Sequence, residues 1–402
     1  MTPPQPTDHA DVAERQRLEA QRAGEANWRL WGPYLAERAW GTVREDYSAD
    51  GEAWDYFTHD QARSRAYRWN EDGLGGICDI DQYLCFALAL WNGADAILKE
   101  RAFGLTGNQG NRGEDVKEVY HYLDATPSHS WLRYRYKYPQ RAFPYERLVA
   151  ENAARGRDAP PFELIDTGAF QDSRYWDVEV RYAKATPHRI HCRITAHKRG
   201  PEPAALHLLP TLWYRNTWSW GDDDAVRPEV VGIEPPTGAG FALRATHPAL
   251  GTYFLYGAVA CELLFTENET NAAHIWGDVN PTPYVKDAFH RWLVDGEHDA
   301  VNPARRGTKC AALRRVELGP GESTQLDLVL SAEPLEEPFS ETERTMARRQ
   351  SETTVFYDPL LPEAGANDAR ILRQALAGMI RGKQFDHYDV ARWLDGDRLP
   401  PP

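Results

Sequence analysis

Residues 177–196 read DVEVRYAKATPHRIHCRITA. Val178, Val180 and Tyr182 alternate with charged residues, and Ile190, Cys192, Ile194 and Ala196 then do the same. A period of two sends successive side chains to opposite faces of a strand, so both runs read as half-buried strands with one wet face. The pattern extends outward through residues 206–214, 252–265 and 310–318. Gly319-Pro320-Gly321-Glu322 is a turn, after which Leu326, Leu328 and Leu330 return on one face. Many strands with closely spaced Gly/Pro turns indicate a mainly β fold, a large antiparallel β-sandwich.

Helices flank that sandwich. Residues 8–26 are polar and Pro-free, which predicts an exposed N-terminal helix. Residues 82–90 form a short apolar run that reads as a buried strand, and 114–138 alternate Tyr, Val and charge. YERLVAENAAR (145–155) is compatible with a helix. From Pro338 the period becomes helical over 341–354. A second helix, capped by Asn367 or Asp368, carries Ile371, Leu372, Ala375, Leu376, Met379 and Ile380 on one stripe that needs burial. The organisation expected is therefore a helical extension (1–27), a sandwich (28–337) and linker helices (338–402).

Composition narrows the function classes. Sixty acidic residues against 46 basic give a net charge of −14, which disfavours nucleic acid as a partner. Apolar runs fall well short of the roughly 20 residues that span a bilayer, and MTPPQPTDHADVAERQ (1–16) lacks the regions of a secretory signal. A cytoplasmic location without membrane contact is expected. Five cysteines without a Cys-x-x-Cys pair argue against a disulfide framework, and Asn268-Glu269-Thr270 then reads as a plain loop rather than a glycosylation acceptor.

Motifs for cofactor chemistry are weak. No phosphate-cradling Gly-x-x-x-x-Gly-Lys-Ser/Thr and no Gly-x-Ser-x-Gly occur, and Gly73, Gly75 and Gly76 only approximate a dinucleotide fingerprint. His191 and His197 share a strand face near His188, but no Glu or Cys completes a known metal spacing; neither a metal nor a cofactor is expected. Candidate acids lie in loop-like stretches at Asp46, Asp55, Asp60, Glu71, Asp72, Glu114 and Asp115. Glu71-Asp72, between Trp69 and a Gly-rich turn, is the most site-like pair, because glycine lets backbone approach a ligand. Asn216, Trp218 and Trp220 offer planar rings and polar donors suited to a sugar platform or a domain interface.

Long strings then carry a family resemblance. WGPYLAERAWGTVREDYSADGEAWDYFTHDQARSRAYRWNEDGLGGICD (31–79) and ALWNGADAILKERAFGLTGNQGNRGEDVKEVYHYLDATPSHSW (89–131) resemble the N-terminal region of glucosidase-like proteins of glycoside hydrolase family 63. FELIDTGAF (162–170), LHLLPTLWYRNTWSWG (206–221) and KQFDHYDVARWLDGD (383–397) extend the likeness.

The resemblance implies an N-terminal super-sandwich joined by helices to an (α/α)6 barrel, whose Asp acid and Glu base invert the anomeric centre of an α-glucoside. The family's acid and base have no matching positions here. The resemblance thus implies a non-catalytic domain, inactive alone, that serves an α-glucoside or oligosaccharide together with a barrel. Arg68, Trp69, Glu71, Asp72 and Gly73 would border the sugar pocket, and the uncovered linker helix would promote self-association. Two rivals remain: a stand-alone carbohydrate-binding module, and a hydrolase using Glu71 and Asp72 themselves.

Overall fold

A computed structural model describes residues 12–39, 58–220, 226–360, 365–385 and 390–395. Asp46 and Asp55 lie outside the described residues. The first strands are β1 (Trp31–Gly32), β2 (Leu74–Asp79), β3 (Leu84–Trp91), β4 (Gly104–Leu105) and β5 (Asp115–Val116). Next come β6 (Val119–Ala125), β7 (Trp131–Pro139), β8 (Tyr175–Thr186), β9 (Arg189–Lys198) and β10 (Ala204–Tyr214). The series closes with β11 (Glu229–Ile233), β12 (Phe241–His247), β13 (Gly251–Gly257), β14 (Glu262–Thr266), β15 (Arg306–Gly307), β16 (Lys309–Leu318) and β17 (Ser323–Ser331).

Two large antiparallel sheets result. One has six strands in the order β1-β2-β3-β10-β16-β14; the other has nine, β15-β11-β12-β13-β17-β9-β8-β7-β6; β4 and β5 form a separate ribbon. Neither large sheet closes on itself.

The main core lies between them. Leu84, Phe86, Leu88 and Leu90 of β3 and Leu208 and Leu212 of β10 join Val178, Val180, Ile194, Leu326 and Leu328 from the larger sheet in one cluster. Each large apolar side chain buried this way contributes about 1.5–3 kcal/mol. The alternation that first pointed to strands thus fixes which face of each strand enters the core.

One expected strand is two. Residues 252–265 divide into β13, in the nine-stranded sheet, and β14, in the six-stranded one. Close packing marks the change of sheet: a Cβ on Gly257 would lie 1.9 Å from the Phe241 ring, and one on Gly240 would lie 2.0 Å from the Val259 backbone. The mainly apolar run continues through the crossing, although residues 258–263 there are only half-buried or exposed.

Helices cover the remaining faces. They are α1 (Ala13–Ala23), α2 (His59–Ser64), α3 (Tyr145–Ala153), α4 (Ala272–Trp276), α5 (Ala288–Leu293), α6 (Thr342–Tyr357), α7 (Ala366–Arg381) and α8 (Val390–Asp395).

The expectation of an exposed N-terminal helix is corrected by α1. Its Glu14 is fully buried, accepting from Ser128 N and Oγ (both 2.7 Å) and Ser130 Oγ (3.0 Å), while Arg17 pairs with Glu14 and Glu352. Polar composition concealed a helix that docks through charge rather than through an apolar stripe.

The wet face expected around His191 is covered too. His191 Nδ1 lies 3.0 Å from Thr342 Oγ1 of α6, and burial lowers its pKa to about 4.

The α7 stripe divides between two surroundings. Ala377 and Ile380 join the core against β6, whereas Ile371 (57 %), Leu372 (44 %) and Met379 (75 %) face outward. Arg381 anchors the C-terminal end: it is buried, its guanidinium lies over the Tyr122 and Tyr134 rings, and its charge faces Glu37. No described helix is long and apolar enough to cross a membrane.

Candidate functional site

The outward face of the six-stranded sheet holds the site. On β3, Leu88 and Leu90 point into the core, so Ala87 and Ala89 point away from it; on β10 Thr211 and Trp213 do the same. Small side chains at Ala87, Ala89 and Ala311 leave room above the sheet for the segments that follow.

Residues 66–73 cross that face. Gly73 N donates to Ala36 O (2.8 Å), and Asp72 pairs with Ala36 in an isolated bridge. Gly73 is required for contact: a Cβ there would sit 2.6 Å from Ala87 Cβ and 3.0 Å from the Trp213 ring. Here the Gly-rich run packs directly on the sheet. Gly75 and Gly76 lie inside β2, where the register against β3 shifts, and Gly75 takes φ +56° beneath the Tyr134 ring.

Around the acid pair the fold assembles Glu71, Asp72, Glu100, Arg101, Lys286 and Lys309, all nearly buried. Three carboxyl groups face three cations. Asp72 Oδ1 accepts from Arg101 Nε (2.8 Å), and its Oδ2 accepts from Ala39 N (3.1 Å) and Tyr67 OH (3.2 Å). Lys309 Nζ donates to Glu100 Oε1 (2.6 Å) and Lys286 O (3.1 Å). Lys286 Nζ donates to Arg65 O (2.6 Å) and rests 3.5 Å from the centre of the Tyr67 ring.

Asn268 Nδ2 donates to Glu71 Oε1 (2.7 Å) and Tyr214 O (2.9 Å). The apparent sequon is thus a fully buried bracket, not a plain loop.

Electrostatics separate the two adjacent acids. Burial raises the pKa of Glu71 despite Lys286 and Asn268 beside it. For Asp72 burial acts in the same direction, but Arg101 and Lys286 outweigh it and lower the pKa. Burial also lowers Lys286 to about 7, against the pull of Glu71.

Carboxyl groups driven apart in this way resemble an acid/base pair. The space beside them does not match that use: the void leaves about 20 Å³ for the centre of a water molecule, room for one or two waters, whereas ligand pockets span about 300–1,000 Å³. Among the described residues the cluster is a narrow, charge-balanced clamp that ties neighbouring chain segments to the sheet.

Other expected site residues meet at its edge. The Arg68 guanidinium lies 4.5 Å from the centre of the Trp69 ring and 5.2 Å from that of Trp220. Arg215 holds this corner by donating to Arg68 O (2.9 Å) and Gln82 O (3.2 Å).

A platform of exposed rings is not what forms. Trp220 is buried, with Nε1 donating to Asn216 O (2.7 Å). Asn216 itself is buried and bonded to Ser219 Oγ and Asn268 O. Trp218 is half-buried, donating to Glu269 Oε1 (2.8 Å), with Arg227 5.9 Å from its ring centre.

The remaining candidate acids are dispersed. Asp60 pairs with Arg63 within α2, and Asp115 pairs with Lys117. On the far side of Lys286, Asp287 helps to line an open cleft of about 330 Å³ with Arg63, His274 and His290.

The chain is 38 % identical to YMR196W, an uncharacterized protein of Saccharomyces cerevisiae. That alignment runs over 439 residues and covers 97 % of this chain, which spans 40 % of the length of the yeast relative. No family model matches the chain.

Distant structural likenesses carry carbohydrate names. Polysaccharide lyase BACCELL_00875 is 10 % identical, with a TM-score of 0.27, over 62 % of this chain and 25 % of its own. An Escherichia coli K12 protein assigned as an aldose 1-epimerase is 9 % identical, with a TM-score of 0.24, over 52 % and 67 %. A human-microbiome protein assigned as a kojibiose phosphorylase is 8 % identical, with a TM-score of 0.22, over 51 % and 21 %.

Proposed function

We propose that this chain is the non-catalytic β-sandwich part of an α-glucosidase-like glycoside hydrolase resembling family 63. In this reading an acid and a base come from a barrel domain. Arg68, Trp69, Glu71, Asp72 and Gly73 stiffen the wall behind the sugar pocket, and the outward face of α7 docks the barrel. The carrying observation is that α7 buries Ala377 and Ile380 yet leaves Ile371, Leu372 and Met379 in solvent. Contiguous exposed apolar surface marks an interaction site.

The small space beside Glu71 and Asp72 speaks against hydrolysis by these carboxylates, which would need a sugar between two carboxyl groups. The binding-module reading has less support, because Trp220 is buried and Arg227 lies over Trp218.

Two measurements test the proposal. Purified chain incubated with maltose and trehalose is expected to release no glucose; turnover abolished by Glu71→Gln would overturn it. Light scattering at micromolar concentration is expected to show self-association that Ile371→Glu with Met379→Glu disperses. A wild-type monomer would remove the docking argument.

A further inference from the structure

We propose that Cys78 and Cys85 are a redox modification site, closing to a reversible intramolecular disulfide when the protein meets hydrogen peroxide. The two residues stand directly opposite each other in the β2–β3 pair, and both side chains enter the same buried cluster on the outward face of the sheet. Directly opposed antiparallel residues have Cα atoms about 4.5–5.5 Å apart, inside the roughly 4.4–6.8 Å range of disulfides. Their Cβ atoms lie about 4.5–5.5 Å apart, slightly beyond the usual disulfide spacing of about 3.5–4.5 Å. Closing the bond draws the strands together by up to about an ångström and leaves it readily reducible.

The hairpin between them is held in register. Buried Asp79 accepts from the backbone N–H groups of Asp81 (3.1 Å), Tyr83 (3.2 Å) and Leu84 (2.7 Å). Gln82, at φ +51°, directs its amide toward Cys78 Sγ (3.8 Å). The same turn carries the Gln82 carbonyl that receives Arg215, so the dithiol is mechanically linked to the corner formed by Arg68 and Trp69.

Phe385 lies at the edge of the dithiol. Both cysteines are fully buried with Tyr34, Leu35, Ala87 and Trp213, and Phe385 packs over this cluster only partly buried, its N–H bonded to Tyr34 O (2.8 Å). Arg215 also lies 5.3 Å from the centre of the Phe385 ring; local opening of a chain segment costs less than global unfolding and admits a molecule close to water in size. Burial raises the Cys85 thiol well above its usual pKa, so closure should accelerate toward alkaline pH.

One thiolate attacks the peroxide. An S–O bond forms, the O–O bond breaks, and the departing oxygen leaves as water after taking a proton. The second thiol attacks the sulfenic sulfur, forming S–S and expelling a second water. Two sulfurs each lose one electron, and the peroxide is reduced to two waters.

The test uses the intact chain treated with hydrogen peroxide, quenched, unfolded and titrated for thiols. Five free cysteines should fall to three. Trypsin places both in one peptide, residues 69–99, which should lose two hydrogens in mass and regain them with dithiothreitol. In Cys85→Ser that loss should disappear and a dimedone adduct should appear at Cys78. Unchanged thiols in this peptide while half-buried Cys261 oxidises would overturn the proposal, as would sulfinic acid without a disulfide. The wild-type mass shift decides the matter even if the variant fails to fold.

Discussion

Replacing Asp72 with Asn tests whether the acid pair is a clamp or a reactive group. The substitution keeps the shape and removes the charge that faces Arg101 at 2.8 Å, both residues being buried. Removing one partner from a buried ion pair costs about 3–5 kcal/mol, because the other charge is left uncompensated. Glu100, 3.8 Å from Arg101, relieves part of this. The Asn amide then opposes it: Asp72 accepts from Arg101 on one oxygen and from Ala39 and Tyr67 on the other, so one donor must face an NH₂, adding about 1–3 kcal/mol. The expected loss is about 3–5 kcal/mol.

Arg101→Met alone should cost a similar amount by stranding Asp72, and the double variant should lie at least about 2 kcal/mol above the sum of the singles. Urea is the denaturant to use, since it does not screen charge. Additivity within about 0.5 kcal/mol, or a neutral Asp72→Asn, would refute the clamp and restore Asp72 as a free carboxylate.

Other perturbations probe the frame. Lys184 is buried with Nζ bonded to Trp28 O and Trp31 O (both 2.5 Å), and burial lowers its pKa to about 7, against about 10.4 unfolded. Between those values the unfolded chain binds more protons, so this lysine makes stability rise with pH from about 7 to 10; below 7 its penalty is constant. The urea midpoint of Lys184→Met minus that of wild type should therefore shrink across that window, and a constant difference would refute the assignment. Glu14→Ala should cost about 3 kcal/mol by stranding buried donors on Ser128 and Ser130, and should speed tryptic cleavage after Arg15 and Arg22. Gly240→Ala forces a side chain to within 2.0 Å of the Val259 backbone and should lower the urea midpoint by an amount equal to about 1–3 kcal/mol.

The strands were legible because the pleat repeats every two residues, and β8, β9 and β17 appear where the alternation places them, but the second face of β8 and β9 is largely covered rather than wet. The 252–265 run misled because apolar residues continue through the crossing between sheets. Polar α1 looked exposed since sequence does not reveal that Glu14 meets Ser128. At the site, Glu71 and Asp72 stood out locally, whereas Arg101, Lys286 and Lys309 carried only a faint signal. Lys309 is a solitary charge in the apolar setting TKCAAL (308–313), and Lys286 is followed by Asp287 within YVKDAF (284–289).

What the sequence determined by itself was the architecture: antiparallel sheets around a core, fixed by short-range alternation and by turns that act within a few residues. Only the tertiary structure decided the state of the acids. Ionisation depends on burial and on charges brought from positions more than 200 residues away, such as Lys286 beside Glu71, and no local pattern encodes that distance.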